Sequence, residues 1–230
     1  HPVLGTFDYV YDALGRRISE SRGGTITRFE WDGATLAAEY DGSGNLVARY
    51  VWGLGASARI SASGAIHWYG FDEGGNTLFL TDAAGAVVNR YAQDPWGVPV
   101  TTVEAVPNRF RMMGRSGVLT GGDGLCHTGA RPYDPALGRF LSADPLRYQA
   151  GTNLYAYADG NPLRWSDPTG LLKTGPMDVV NKVVGFVGTA TGGLSHVVYS
   201  ALGSFSGVWG VGSSLNGMYD AGKGGATGDY

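Results

Sequence analysis

Four aspartates in this 230-residue sequence stand directly before a proline: Asp94, Asp134, Asp144 and Asp167. Two carboxylates brought close together cannot both ionise cheaply, so one keeps a proton and acts as acid while the other polarises a water as base. Such a pair titrates as a unit, and it can hydrolyse an amide without a metal or a cofactor. Asp144 and Asp167 lie 23 residues apart and each ends a strand-like stretch, so a folded-back segment can bring them together. The dipeptide alone does not choose among the four. Aspartate caps a turn with its own side chain and proline fixes φ at the next position, which makes Asp-Pro an ordinary turn starter as well.

Other chemistry is sparse. Cys126 is the single cysteine, so no disulfide closes within the chain, and it lacks the CxxC or His-spaced company of a metal site. It reads as a small buried hydrophobe. His127 adjoins it, but neighbours on a strand point to opposite faces, which argues against a catalytic pair. A net charge of -3 and a pI near 5.8 leave no basic footprint for nucleic acid.

The elements that would have to position these residues are short strands. Glycine supplies 39 residues and proline 10, well above average usage, while abundant aromatic and β-branched residues supply a core. Aromatic-Asp pairs precede a glycine at Tyr11-Asp12, Trp31-Asp32, Tyr40-Asp41, Phe71-Asp72 and Tyr133-Asp134, with Thr81-Asp82 as a variant. Alternating stretches such as 45–52 and 86–91 lie between them and read as strands. Aspartate caps each turn and glycine accepts positive φ, so successive strands pair into a ladder of hairpins. One hairpin is marginal in water, and the ladder must stack on its neighbours.

YDALGRR, YDGSGNLVARYVWG and FDEGGNTLFLTDAAGAVVNRYAQDPWG resemble YD/RHS repeats, a family that winds a long β-sheet into a hollow shell. NRFRMMGR, ARPYDPALGRFLSADPL and GTNLYAYADGNPLRWSDPTGL resemble, in order and spacing, the RHS-repeat-associated core that closes such shells in polymorphic toxins and toxin-complex C components. Three departures stand out. Pro132 replaces a second aromatic, Leu146-Arg147 replaces an Ile-Gly pair, and 118–128, with Gly121, Gly122 and Gly124, reads as a loop where relatives carry a shorter turn.

The resemblance implies an aspartyl-protease-like self-cleavage after the leucine of the DPxGL motif. Carried over, the catalytic carboxylates are Asp144 and Asp167 and the bond joins Leu171 to Leu172. Asp134 is the reserve candidate. Arg131 and Arg139 are supporting residues that can hold a carboxylate bidentately or steady an oxyanion, although a structural ion pair is the plainer role for either. Gly170 lets the backbone turn tightly or approach closely. Tyr155 and Tyr157 are expected on one core face. The cut is intramolecular and single-turnover, with neither cofactor nor metal.

Beyond Leu172 the composition changes: residues 183–219 contain no Asp, Glu, Lys or Arg. Pro176 and Asp178 can open a helix, and the small-residue spacings Gly188/Gly192 and Gly203/Gly207 permit close packing in a bilayer. A membrane-contacting leader over 179–219, a sheltered apolar passenger and a buried helix pair are all open readings. The expected fold is therefore mainly β: repeats over 1–115, a closing and cutting core over 116–171, and the apolar head of a cargo over 172–230. The partners implied are its own C-terminal segment, a secretion apparatus or toxin-complex component, and an immunity protein, with export to the outside or the cell surface. No signal peptide is visible and residue 1 already stands inside a repeat, so a fragment of a longer protein is expected. The rival readings are a non-catalytic surface protein for contact or adhesion, and a shell with too few repeats to close.

Overall fold

Ten strands follow one another in a single antiparallel meander, each paired with the next. They are β1 (Phe7–Tyr11), β2 (Arg17–Arg22), β3 (Thr25–Asp32), β4 (Thr35–Asp41), β5 (Leu46–Trp52), β6 (Ala56–Ser61), β7 (Ile66–Phe71), β8 (Thr77–Thr81), β9 (Val87–Gln93) and β10 (Pro99–Glu104). The computed structural model describes residues 6–147 and 151–175, all within one compact unit, His1–Val180. The expected apolar helices and membrane contact over 179–219 lie outside the described residues. Among the described residues no helix is long and apolar enough to cross a membrane.

One turn recurs. It starts at Asp12, Asp41, Ser61, Asp72, Asp82 and Asp94, and in each case the first N–H donates to the fifth carbonyl at 2.9–3.0 Å while the fourth N–H donates back to the first carbonyl at 2.9–3.1 Å. The fourth residue is always glycine, with φ between 77° and 92°, a conformation that an L side chain enters only with strain. Oδ1 of Asp12, Asp41, Asp82 and Asp94 accepts the N–H groups two and four residues on at 2.8–2.9 Å. Register shifts accompany most of these turns, as a glycine bulge requires. Asp32 is an exception to the expected pattern. Its side chain takes no part, and Thr35 Oγ1 donates instead to its carbonyl.

One face of the sheet is covered by the chain that follows β10. Phe110 is fully buried, edge-on to Tyr50 at 4.8 Å and to Trp52 at 5.4 Å. The segment is stitched down by Thr77, whose N–H donates to the Arg111 carbonyl at 2.8 Å and whose Oγ1 donates to the Phe110 carbonyl at 2.7 Å. Arg109 donates to Glu39 on β4 at 2.7 Å and to Glu20 on β2 at 2.6 Å. Burial opposes its charge, but the two glutamates outweigh this and raise the Arg109 pKa.

A second, four-stranded sheet follows: β11 (Leu119–Thr120), β12 (Cys126–His127), β13 (Pro132–Asp134) and β14 (Arg139–Phe140). The stretch 118–128 is thus a short hairpin and not a loop, because Gly121–Leu125 repeats the turn of the large sheet. Cys126, Tyr133, Phe140 and Tyr157 form the second core with Met112 and Met113. Burial pushes the Cys126 thiol up to about 12. Tyr155 does not share this core, since it is exposed and lies under Arg139. The turn closed by Ala156 N–H on the Asn153 carbonyl breaks the period-two pattern that would have placed it beside Tyr157.

Candidate functional site

Asp144 and Asp167 each begin a turn, and each uses one carboxylate oxygen to cap it. Asp144 Oδ1 accepts Leu146 N–H at 2.8 Å. Asp167 Oδ1 accepts Leu171 N–H at 3.1 Å and the Thr169 hydroxyl at 3.0 Å. That leaves each Oδ2 facing inward, and both reach the same atom: Arg131 Nη2 lies 2.9 Å from Asp144 Oδ2 and 3.2 Å from Asp167 Oδ2. The two oxygens are therefore no farther apart than the sum of those distances. All three side chains are buried, Arg131 to 2%, Asp144 to 5% and Asp167 to 3% residual exposure.

The guanidinium is held on every side. Its Cζ lies over the Phe140 ring, 3.7 Å from the ring centre. Nη1 donates to the Leu154 carbonyl at 3.1 Å, and Leu154 also accepts Asp144 N–H at 3.0 Å. Nε donates to the Gly170 carbonyl at 2.6 Å. The chain ahead of Leu171 is thereby fixed residue by residue: Gly129 N–H donates to the Pro168 carbonyl at 3.4 Å, Ala130 N–H to the Thr169 carbonyl at 2.9 Å, and Arg131 Nε to that of Gly170. Leu171 is half-buried and Leu172 exposed.

Asp134 stands apart from this cluster. Its Oδ1 caps the β13–β14 turn through Ala136 and Leu137 N–H, and it makes no hydrogen bond or ion pair with Arg131, Asp144 or Asp167. Arg139 is exposed and stacks on Tyr155 instead. A cavity of about 1270 Å³, lined by Glu39, Arg59, Glu104 and Arg109 among others, includes neither Asp144 nor Asp167. No cluster of three or more metal-ligating side chains occurs among the described residues.

Three participants escaped the sequence reading. Phe140 is signalled only by its alternation with Arg139 on β14, and Thr169 by the Asp-x-Thr spacing that lets a hydroxyl reach a turn aspartate. Thr128, whose hydroxyl donates to the Arg131 carbonyl at 2.5 Å, has no local signal.

The model of the teneurin YD-shell matches residues 3–163. The chain belongs to the teneurin YD-shell family. This YD-shell segment is 33% identical over 172 residues to the tRNA nuclease WapA of Bacillus subtilis (strain 168), covering 70% of this chain and 7% of WapA. It is 31% identical over 198 residues to the double-stranded DNA deaminase toxin A of Burkholderia cenocepacia (strain H111), covering 71% of this chain and 14% of that protein. Among solved structures, that of TcdB2-TccC3-TEV superposes with a TM-score of 0.58 at 20% identity, over 72% of this chain and 9% of the other, which establishes the shared fold. The YD-shell segment thus spans under a fifth of the length of either curated relative.

Proposed function

We propose that this chain closes a YD-shell and hydrolyses its own Leu171–Leu172 bond, separating the shell from a C-terminal toxin segment that it shelters until export to the outside of the cell. What carries this reading is the convergence of Asp144 and Asp167 on one Arg131 nitrogen, beside the peptide that Arg131 itself fixes at Gly170. One carboxylate accepts a proton from water as its oxygen attacks the Leu171 carbonyl carbon. The other carboxyl donates a proton to the Leu172 nitrogen as the C–N bond breaks. Asp167 is favoured as the group nearest the bond, because its Oδ1 already accepts Leu171 N–H. The bond is part of the same chain, so its position is fixed before reaction and proximity supplies much of the rate.

The intact mass of the purified chain tests this. The expected product ends at Leu171, and Asp144→Asn and Asp167→Asn each slow its appearance by a factor of about 100 or more, the usual contribution of a positioned acid or base. Acid hydrolysis at Asp-Pro bonds gives fragments ending at Asp144 or Asp167, which the mass distinguishes. A wild-type chain that stays whole at neutral and mildly acidic pH refutes the proposal.

One observation favours a second reading. All four carboxylate oxygens have a partner within the protein, as expected of a buried ionic clamp that holds the closure shut without hydrolysing anything. On that reading Asp144→Asn and Asp167→Asn lower stability and leave the mass unchanged.

A further inference from the structure

Gly170 packs against Thr128 at a distance that leaves no room for a side chain. A Cβ built on Gly170 falls 2.3 Å from Thr128 Oγ1, 3.0 Å from the Arg131 backbone nitrogen and 3.3 Å from Thr128 Cβ. The hydroxyl cannot readily swing away, because Thr128 is buried and Oγ1 donates to the Arg131 carbonyl. Thr128 is also the residue before the strip 129–131, whose two backbone N–H groups and one guanidinium take the carbonyls of residues 168, 169 and 170 in turn. Those contacts are made to backbone and do not read side chains. At Gly170, the residue before Leu171, one threonine hydroxyl does.

We propose that Thr128 is the specificity-determining residue of the self-cleavage, a gauge that admits only glycine at position 170 and so sets which peptide bond lies beside Asp144 and Asp167. This rests on the proposal that the chain cuts itself. The hydroxyl marks one register: a chain slid by one residue in either direction brings Thr169 or Leu171 against Oγ1, and neither fits. Phe140 and the Leu154 carbonyl hold Arg131, and Arg131 holds Gly170, but Thr128 is what excludes the alternatives.

The gauge predicts more than backbone strain does. Gly170 has φ +67°, and an alanine there pays about 1–2 kcal/mol for that conformation alone, which corresponds to a slowing of about 5- to 30-fold. In the full chain, followed by intact mass over time, Gly170→Ala is expected to slow cleavage by more than 100-fold. Adding Thr128→Ala removes Oγ1 and recovers at least tenfold. Adding Thr128→Ser keeps Oγ1 and recovers nothing. The single variant Thr128→Ala folds and still cuts, but yields products ending at Gly170 or Leu172 beside the one ending at Leu171, and a product that ends at Leu171 alone counts against the gauge. The inference fails if Gly170→Ala loses only what strain predicts, or if Thr128→Ala and Thr128→Ser rescue it equally. A wild-type chain that does not cut, or an Asp167→Asn chain that cuts at the wild-type rate, refutes the underlying proposal instead, so the two failures are distinguishable. Because the rescue is read against Gly170→Ala in the same background, misfolding of that variant alone does not mimic a positive result.

Discussion

Arg131 offers one guanidinium to two buried carboxyl groups and two backbone carbonyls. Removing it strands both carboxylates in the interior, and stranding a buried charge costs about 3–5 kcal/mol. Arg131→Met is therefore expected to lower the unfolding free energy by roughly that amount, measured by urea unfolding at neutral pH. In the background of Asp144→Asn and Asp167→Asn the same substitution is expected to cost far less, because the charges it would strand are gone. At this scale the sequence was informative wherever a residue type has few uses. An Asp-Pro pair flanked by strand-like runs marked both aspartates, and Arg131 stood out beside Asp134. Which carboxylate Arg131 holds is not legible along the chain: Asp134 lies three residues away, whereas the fold supplies Asp144 and Asp167 from 13 and 36 residues away. Thr128 could not be read at all: its role comes from which backbone atoms lie against it, and composition does not encode that.

The hairpin turns were legible because their physics is local. Aspartate, a glycine three residues on and alternating flanks specify the turn, its bulge and the pairing of neighbours, and Asp12, Asp41, Asp72, Asp82 and Asp94 all conform. The covering segment was not legible in this way. Phe110 finds Tyr50 and Trp52 some sixty residues earlier, and only the folded sheet brings them near. Phe110→Ala is expected to destabilise the chain by roughly 3–5 kcal/mol, and limited proteolysis should then cut near residues 107–116, which the wild type protects. A second tie joins β1 to the β11–β12 hairpin. Tyr9 OH donates to Asp123 Oδ2, and His127 Nε2 stands 3.5 Å from Oδ1. Burial works to raise the Asp123 carboxyl, but His127, Tyr9 and the Leu125 N–H outweigh it and hold it at about 2, below its usual 3.8. A depressed carboxyl stabilises the fold above its unfolded value and loses that contribution as pH falls through the folded one. The stability advantage of the wild type over Asp123→Asn is thus expected to be full above about pH 4 and to fade toward pH 2. A difference that stays level across that range would exclude Asp123 as the source.

At the scale of the whole molecule the described residues are a ten-stranded stretch of YD-shell sheet followed by a small four-stranded sheet. Among the described residues each strand of this sheet pairs only with its sequence neighbours, which leaves β1 and β10 at its edges. The chain downstream of the proposed cut is anchored too. Thr174 N–H donates to the Ser166 carbonyl at 2.6 Å, its own carbonyl accepts Ser166 N–H at 3.0 Å, and Lys173 pairs with Asp159 and lies over Trp165. Upstream, Gly129, Ala130 and Arg131 grip the other side. After the proposed hydrolysis both new ends would therefore remain seated, and the two pieces are expected to co-elute on native size-exclusion chromatography and to part in denaturant. Thr174→Pro, which deletes the 2.6 Å donor, should hasten their separation without slowing the cut. Under the proposed cut, a nicked molecule of this kind would be primed and not yet spent: bond scission would set no clock for departure, and the C-terminal piece would wait on whatever force pries a two-residue clasp from its seat.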